Sequence, residues 1–339
     1  NRFLTLGGYA IRMEQHSSDN QISHNLIEEV GGGGIFLSGS SATHPIRNTI
    51  SHNIIRNCGV VFKHVAGVLC STAEQTDIFH NKIYNMPRYG VSLKSANLSN
   101  MSKNNKIHKN EISNTNQETC DSGAIEILGR AKVNTGDIVA ANVIINSGGL
   151  TTDEKSVFRC PWETWGVYLD DYASGVSITG NILSKCTSGG VFIHGGKNNV
   201  ISNNIFADNP KSQVMSQVAD DPQFLRNNTF TKNAIIFSTP DSSLLTNVNT
   251  APWAANSLTK WDSNIYYTRG NNSAMVNRNL TPVGSFQDWQ SKGFDKLSKT
   301  EDPLIQNNLF SPNSPAYQLG IKQISGPAAC SETYGPRTP

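Results

Sequence analysis

One motif recurs along the chain and limits its fold more than any other feature. "NQISHNLI" (20–27), "NTISHNII" (48–55), "TDIFHNKI" (76–83), "NKIHKNEI" (105–112), "VSITGNIL" (176–183), "NVISNNIF" (199–206) and "QFLRNNTF" (223–230) share one pattern, and "DIVAANVI" (137–144) is a looser copy. The common Asn falls at 25, 53, 81, 110, 142, 181, 204 and 228, at spacings of 28, 28, 29, 32, 39, 23 and 24 residues. β-Branched residues alternate inside each copy, and no 3.6-residue pattern separates the copies. Each period therefore reads as one coil of a parallel β-helix rather than one repeat of a leucine-rich horseshoe. Stacking explains the Asn: its amide donates and accepts, and so bonds the same residue one coil above and below. That role is structural, and His24, His52 and His80, which belong to the same motif, are read as structural with it.

Every coil carries a second strand: "GIFLSG" (34–39), "GVLCST" (67–72), "GVSLKS" (90–95), "AIEILG" (124–129), "GVYLDD" (166–171) and "GVFIHG" (190–195). Period-two alternation turns Ile35, Leu37 and their equivalents, Cys70 among them, into an aliphatic core. The residues between them point out and stack about 4.8 Å apart. One outward column is expected to read Phe36, Leu69, Ser92, Glu126, Tyr168, Phe192. A second reads Ser38, Ser71, Lys94, Leu128, Asp170, His194. A third, on the turn entering the strands, reads Gly31, His64, Pro87, Asp121, Glu163, Thr187, with Arg88 beside it.

Ionisable residues thus gather on one face of a few neighbouring coils. Asp121, Glu126 and Asp170 are the candidate catalytic carboxylates, and Asp171 opens a turn where an Asx-type structural role is equally natural. His64, Arg88, Lys94, Trp165, Tyr168, Asp171 and His194 are candidate substrate-binding residues. The two longest spacings enclose "TNQETCDSG" and "GGLTTDEKSVFRCPWETW", loops that lead into the strands bearing Glu126 and Asp170, where insertions in repeat proteins tend to serve function. Trp162, Trp165, Tyr168, Tyr172 and Tyr89 offer flat apolar surfaces of the kind that pack on a sugar ring. No Cys or His spacing typical of zinc and no phosphate loop is present.

Composition narrows the setting. A net charge of +2 over 339 residues gives no reason to expect a nucleic-acid partner, and no apolar run approaches the roughly 20 residues of a membrane span. Six Cys, with Asn-x-Ser/Thr acceptors at Asn97, Asn100, Asn227, Asn271 and Asn279, favour a secreted or cell-surface protein. Cys120 and Cys160 lie in consecutive inserted loops, so a disulfide between them is expected; Cys58, Cys186 and Cys330 are left without assigned partners.

The Asn repeat fades after Phe230, which predicts coils over 1–235 and a capping segment over 236–339, with "FQDWQSKG" as a short helix covering the last apolar layer. The chain opens on the strand-like "RFLTLGGYAIRME" with no cap and no signal peptide, so further N-terminal coils or another chain are expected to cover that end.

These coils, with "KHVAGV", "MPRYGVSL", "DSGAIE", "GVYLDDYASGVSITGNI" and the closing "DP" and "SPAYQLG" elements, resemble the right-handed parallel β-helix carbohydrate-active proteins of the pectate-lyase-like superfamily. "DSGAIE" and "YLDDYASG" most resemble the β-helical glycoside hydrolases with α-L-fucosidase and xylanase activities. That resemblance implies an all-β, right-handed solenoid acting on a polysaccharide or oligosaccharide. It also implies an acidic pair drawn from Asp121, Glu126, Asp170 and Asp171. Hydrolysis needs one carboxylic acid and one carboxylate and no cofactor. The rival chemistry on this fold is a lyase or epimerase, with Lys94, Arg88 or His64 as base and Ca²⁺ held by Asp170, Asp171 or Asp121. A non-enzymatic glycan-binding or structural surface protein is the third reading.

Overall fold

The computed structural model describes residues 1–40, 42–237, 242–248, 258–269 and 286–324. Each turn of the chain adds one short strand to each of three sheets, and neighbouring turns pair in parallel throughout. The turns are numbered here by their strand in the sheet that carries the site. Coils 1 to 4 are Ile11–Glu14, Ile35–Ser38, Ala66–Cys70 and Tyr89–Asn97. Coils 5 to 9 are Ser122–Leu128, Thr164–Asp170, Gly189–His194, Ser212–Gln217 and Ser243–Val248. No helix among the described residues is long and apolar enough to cross a membrane.

The outward column expected from alternation forms as written: Phe36 pairs with Leu69, Leu69 with Ser92, Ser92 with Glu126, Glu126 with Tyr168, and Tyr168 with Phe192. The inward positions make one continuous aliphatic core, in which Ile35, Leu37, Val68, Cys70, Val91 and Ile125 are fully buried. Parallel strands only 4.8 Å apart stack like residues on like, so the core repeats coil by coil.

The Asn ladder holds the bend between two sheets. Asn110 Oδ1 accepts from the Asn81 N–H and Nδ2, both at 3.0 Å, while its own Nδ2 donates to Asn142 Oδ1 at 3.0 Å and to the Ile78 carbonyl at 2.9 Å. Each such side chain is buried with its hydrogen bonds made, which a buried amide requires. The residue before each ladder Asn is left-handed, with φ of 56° at His24 and His52 and 50° at His80, which makes the corner sharp. The rings of these three His stack at 5.0 Å intervals.

The ladder corrects one position. After Asn204 it continues to Asn233 and Asn264, not to Asn228. Asn228 belongs to a second ladder five residues earlier in each coil, where Asn199 donates to it at 3.0 Å. Asn20, Asn48, Asn105 and Asp137 occupy the same second row.

Parallel strands run past residue 235 as far as Ile265–Thr268. Beyond them a helix, Phe286–Ser291, places Trp289 edge-on to Trp261 of the last coil at 5.8 Å. Asp295 closes the main ladder by accepting from Asn264 Nδ2 at 3.0 Å and from Tyr266 and Trp289 at 2.8 Å. Burial pushes the Asp295 carboxyl up to about 6 against those hydrogen bonds.

The expected Cys120–Cys160 disulfide is not formed: both are free, as are buried Cys58, Cys70 and Cys186. The second inserted loop folds on itself as a hairpin, Thr151–Thr152 against Phe158–Arg159, which carries Cys160 on its exposed arm. Loops that are consecutive in the chain therefore do not bring their sulfurs together. Asn271, Asn279 and Cys330 lie outside the described residues.

Candidate functional site

A cleft of about 650 Å³ crosses coils 5 to 8. Trp165, Tyr168 and Phe192 stack on one another along it, with ring centroids 4.4 to 5.0 Å apart. Each of the three is no more than 4% exposed. They line the cleft as a packed wall, and Tyr168 contributes its hydroxyl rather than an open ring face. Tyr172 is also packed away, its hydroxyl accepting from the Asp221 N–H at 3.1 Å.

Four carboxylates meet at one end: Asp121, Glu163, Asp170 and Asp171. Asp121 sits at the left-handed φ of 48°, with its N–H on the Glu163 carbonyl at 2.8 Å. Its Oδ1 accepts from the Tyr168 hydroxyl at 3.3 Å. Burial, then the charges of Asp170 and Asp121, push the Tyr168 phenol far above its usual value, so that it keeps its proton and donates.

Asp170 is one register step from His194, and His194 Nδ1 lies 3.2 Å from Asp170 Oδ1 and 3.3 Å from Asp171 Oδ1. With carboxylates as both partners, Nδ1 carries a proton. Burial alone would lower this imidazole, but the hydrogen bond to Asp170 and the charges of Asp170, Asp171 and Asp121 outweigh it and raise its pKa. Arg130 Nε donates to the other Asp171 oxygen at 2.6 Å.

The remaining expected site residues form a separate cluster on coils 3 to 5, outside the cleft lining. Glu126 points off the sheet as alternation requires, yet only 2% of it is exposed. The Tyr89 hydroxyl donates to it at 2.9 Å, Ser92 at 2.7 Å, and Lys94 Nζ completes the set as an ion pair. The Tyr89 ring carries Arg88 and Lys94 at 4.6 and 4.7 Å from its centroid and His64 edge-on at 5.7 Å. Burial, then the charges of Arg88 and Lys94, lower the His64 pKa. Arg88 alone reaches toward the cleft, donating to the carbonyls of Cys120 at 3.0 Å and Asp121 at 2.9 Å.

Arg130, Ser188, Lys211, Ser212 and Gln217 line the cleft and were not expected. The coil with "SQVMSQ" has no leading Gly and only one aliphatic inward residue, so it did not read as a strand. The spacing of 29 residues from Asn204 to Asn233 was the available signal.

Asp170, Asp171 and His194 present ligand atoms within 4.8 Å of one another. The oxygens of the cluster are already engaged from within, by the His194 N–H and by Arg130. No other convergent group of three metal-ligating side chains occurs among the described residues.

Two family models match the chain. One, described as the right handed beta helix region, spans residues 66–322. The other, described as the periplasmic copper-binding protein NosD, spans residues 1–129. No curated protein sequence matches. Among solved structures the chain is similar to an alginate lyase from Paenibacillus sp. str. FPU-7, at 14% identity and TM-score 0.47, over 77% of this chain and 84% of that one. It is also similar to a tailspike protein of E. coli bacteriophage HK620 in complex with a pentasaccharide, at 11% identity and TM-score 0.44, over 79% of this chain and 54% of that one. A third is the catalytic domain of a GH87 alpha-1,3-glucanase in complex with nigerose, at 12% identity and TM-score 0.46, over 78% of this chain and 48% of that one. The chain spans about half the length of the last two. The 66–322 match covers most of the chain and agrees with parallel pairing in all three sheets, so this chain belongs to the right-handed β-helix family.

Proposed function

We propose that the chain is an exported glycoside hydrolase acting on a polysaccharide, with Asp121 and Asp170 as its acidic pair. One observation carries this reading: both carboxylates line the cleft beside Tyr168, whose hydroxyl donates to Asp121 at 3.3 Å while the charge of Asp170 raises the same phenol. Such a pair suits glycosidic cleavage, in which one carboxylic acid protonates the leaving oxygen and the other carboxylate acts as nucleophile or as base toward water. An open groove over several coils suits a chain-like substrate, and the Asn-x-Ser/Thr acceptors suit an exported chain.

Elimination fits less well. It needs a free base beside a uronate whose carboxylate is neutralised. Here Tyr168 holds its proton firmly, His194 carries one, and Arg130 is engaged with Asp171. Four carboxylates at that end would repel a uronate at the cleaved bond.

The test is product analysis on a polysaccharide panel. Hydrolysis releases reducing ends with no ultraviolet-absorbing double bond, and proton NMR of the first product gives the anomeric outcome. Unsaturated products that vanish with a chelator would instead assign a Ca²⁺-dependent lyase, with Asp170 and Asp171 as ligands.

A further inference from the structure

The cleft has two chemically different ends. Its acidic end lies on coils 5 and 6. Coils 7 and 8 contribute Ser188, Lys211, Ser212 and Gln217, and no carboxylate. Of the cations lining the cleft, Arg130 and His194 are paired with Asp171 and Asp170. Lys211 forms no ion pair among the described residues. Its Nζ stands 4.8 Å from the centroid of the Trp162 ring, which the inserted hairpin brings across from coil 6. A cation–π contact positions an ammonium without neutralising it.

Register surrounds this charge with hydrogen-bonding groups. Val191 pairs with Val214, which sets Ser188 opposite Lys211 on adjacent coils, and Gln217 pairs with His194. The Ser188 backbone N–H is used on the Thr164 carbonyl, leaving its hydroxyl for the cleft. Lys211 lies two to three coil steps, roughly 10 to 14 Å, from Asp170 and Asp121 along the axis. That is too far to act on the bond they would cleave.

We infer that this end is a subsite for an anionic substituent of the glycan, a sulfate ester or a uronate carboxylate, on a sugar beyond the cleaved bond. The inference rests on the glycosidase reading of the cleft and adds the substrate class: a charged polysaccharide, held by its charge at coils 7 and 8. The inserted hairpin gains a purpose, since Trp162 fixes the ammonium that reads the charge.

The experiment reads binding, not turnover. Affinity electrophoresis of Asp170→Asn protein is run through gels containing polymers that differ in charge. The pairs are κ-carrageenan with agarose, and hyaluronan, in which uronate and neutral sugars alternate, with its carboxyl-reduced form. Lys211→Gln is added to the same background, and Lys106→Gln, an exposed lysine on another sheet, controls for net charge. At low salt one charged polymer is expected to retard the protein about fivefold more than its neutral counterpart, with Lys211→Gln abolishing the difference and Lys106→Gln preserving it. The pair that responds distinguishes sulfate from carboxylate. Equal retardation within both pairs, or a charge preference that survives Lys211→Gln, overturns the subsite. Full activity of Asp170→Asn would overturn the hydrolase assignment instead, so the two failures are told apart.

Discussion

Tyr168 donates its hydroxyl proton to Asp121 at 3.3 Å from the next coil, and the charge of Asp170 bears on the same phenol. The two carboxylates thus bear on one strand residue in the cleft, and glycosidic cleavage needs two carboxyl groups at one site. Replacing Asp121 or Asp170 by Asn keeps shape and hydrogen-bonding capacity while removing the proton chemistry. Each is expected to lower kcat by roughly 10²- to 10⁴-fold; Asp121→Asn should leave the melting temperature nearly unchanged, while Asp170→Asn also loses part of its pairing with His194 and melts somewhat lower. Steady-state kinetics with a melting curve on each variant check this, and wild-type rates in both would remove the assignment.

Glu126 behaves oppositely. It is enclosed by Tyr89, Ser92 and Lys94, and does not line the cleft. Glu126→Gln leaves the Lys94 ammonium facing a neutral amide, at a cost of roughly 3 kcal/mol at most because Lys94 is partly exposed. The expected result is a lower melting temperature with kcat per folded molecule preserved. Loss of turnover at unchanged stability would put Glu126 back among the catalytic groups.

The contrast between Glu126 and Asp170 marks where sequence reading stops. Alternation and stacking gave the outward columns correctly, since the pleat admits only two faces and parallel coils repeat in register. Outward is not the same as exposed. Glu126 is covered because Tyr89 and Lys94 are long enough to close over it from coil 4, and nothing in the spacing reports how long side chains bend. The aromatics show the same limit, since Trp165, Tyr168 and Phe192 line the cleft but pack on one another, which spacing does not report. Asn228 was placed in the wrong ladder because two Asn rows run five residues apart, so either Asn of a coil fits the motif. That slip hid coil 8, and with it Lys211 and Gln217.

His194 ties pH to the shape of the cleft. Its pKa is raised in the folded protein, so the stabilisation from pairing with Asp170 and Asp171 is complete below the ordinary imidazole value and is lost as pH rises through the raised one. Thermal melts of wild type are expected to fall across that window, on the alkaline side of the ordinary value. His194→Gln should flatten that part of the curve. The same slope in both proteins would show that the imidazolium contributes nothing to folding.

Asp137 gives the sharpest stability prediction. It takes an Asn position in the second ladder, and its Oδ1 accepts from the Asn105 N–H at 2.9 Å and Nδ2 at 3.1 Å, as an amide oxygen does there. Its Oδ2 is buried, with the Thr135 hydroxyl beside the carboxyl but outside hydrogen-bond geometry, where the equivalent Nδ2 of Asn228 donates to the Gly196 carbonyl at 2.9 Å. Burial pushes this carboxyl from 3.8 up to about 6, and the hydrogen bonds it accepts offset only part of that. A raised carboxyl means that the folded chain holds the proton more tightly than the unfolded one. Stability is then greatest below about pH 4, falls as pH rises from 4 to 6, and stays lower above. The shift of about two units corresponds to roughly 3 kcal/mol. Asp137→Asn supplies the missing donor and removes the titration, so it should stabilise the protein by up to that amount above pH 6 and by less at pH 4. Asp295, pushed up to about 6 in the cap, keeps a similar slope in both proteins, and the difference between the two curves isolates Asp137. Denaturant melts of wild type and variant at pH 4 and pH 7 check this; a variant no more stable at pH 7 than wild type would mean that Oδ2 has found a partner of its own.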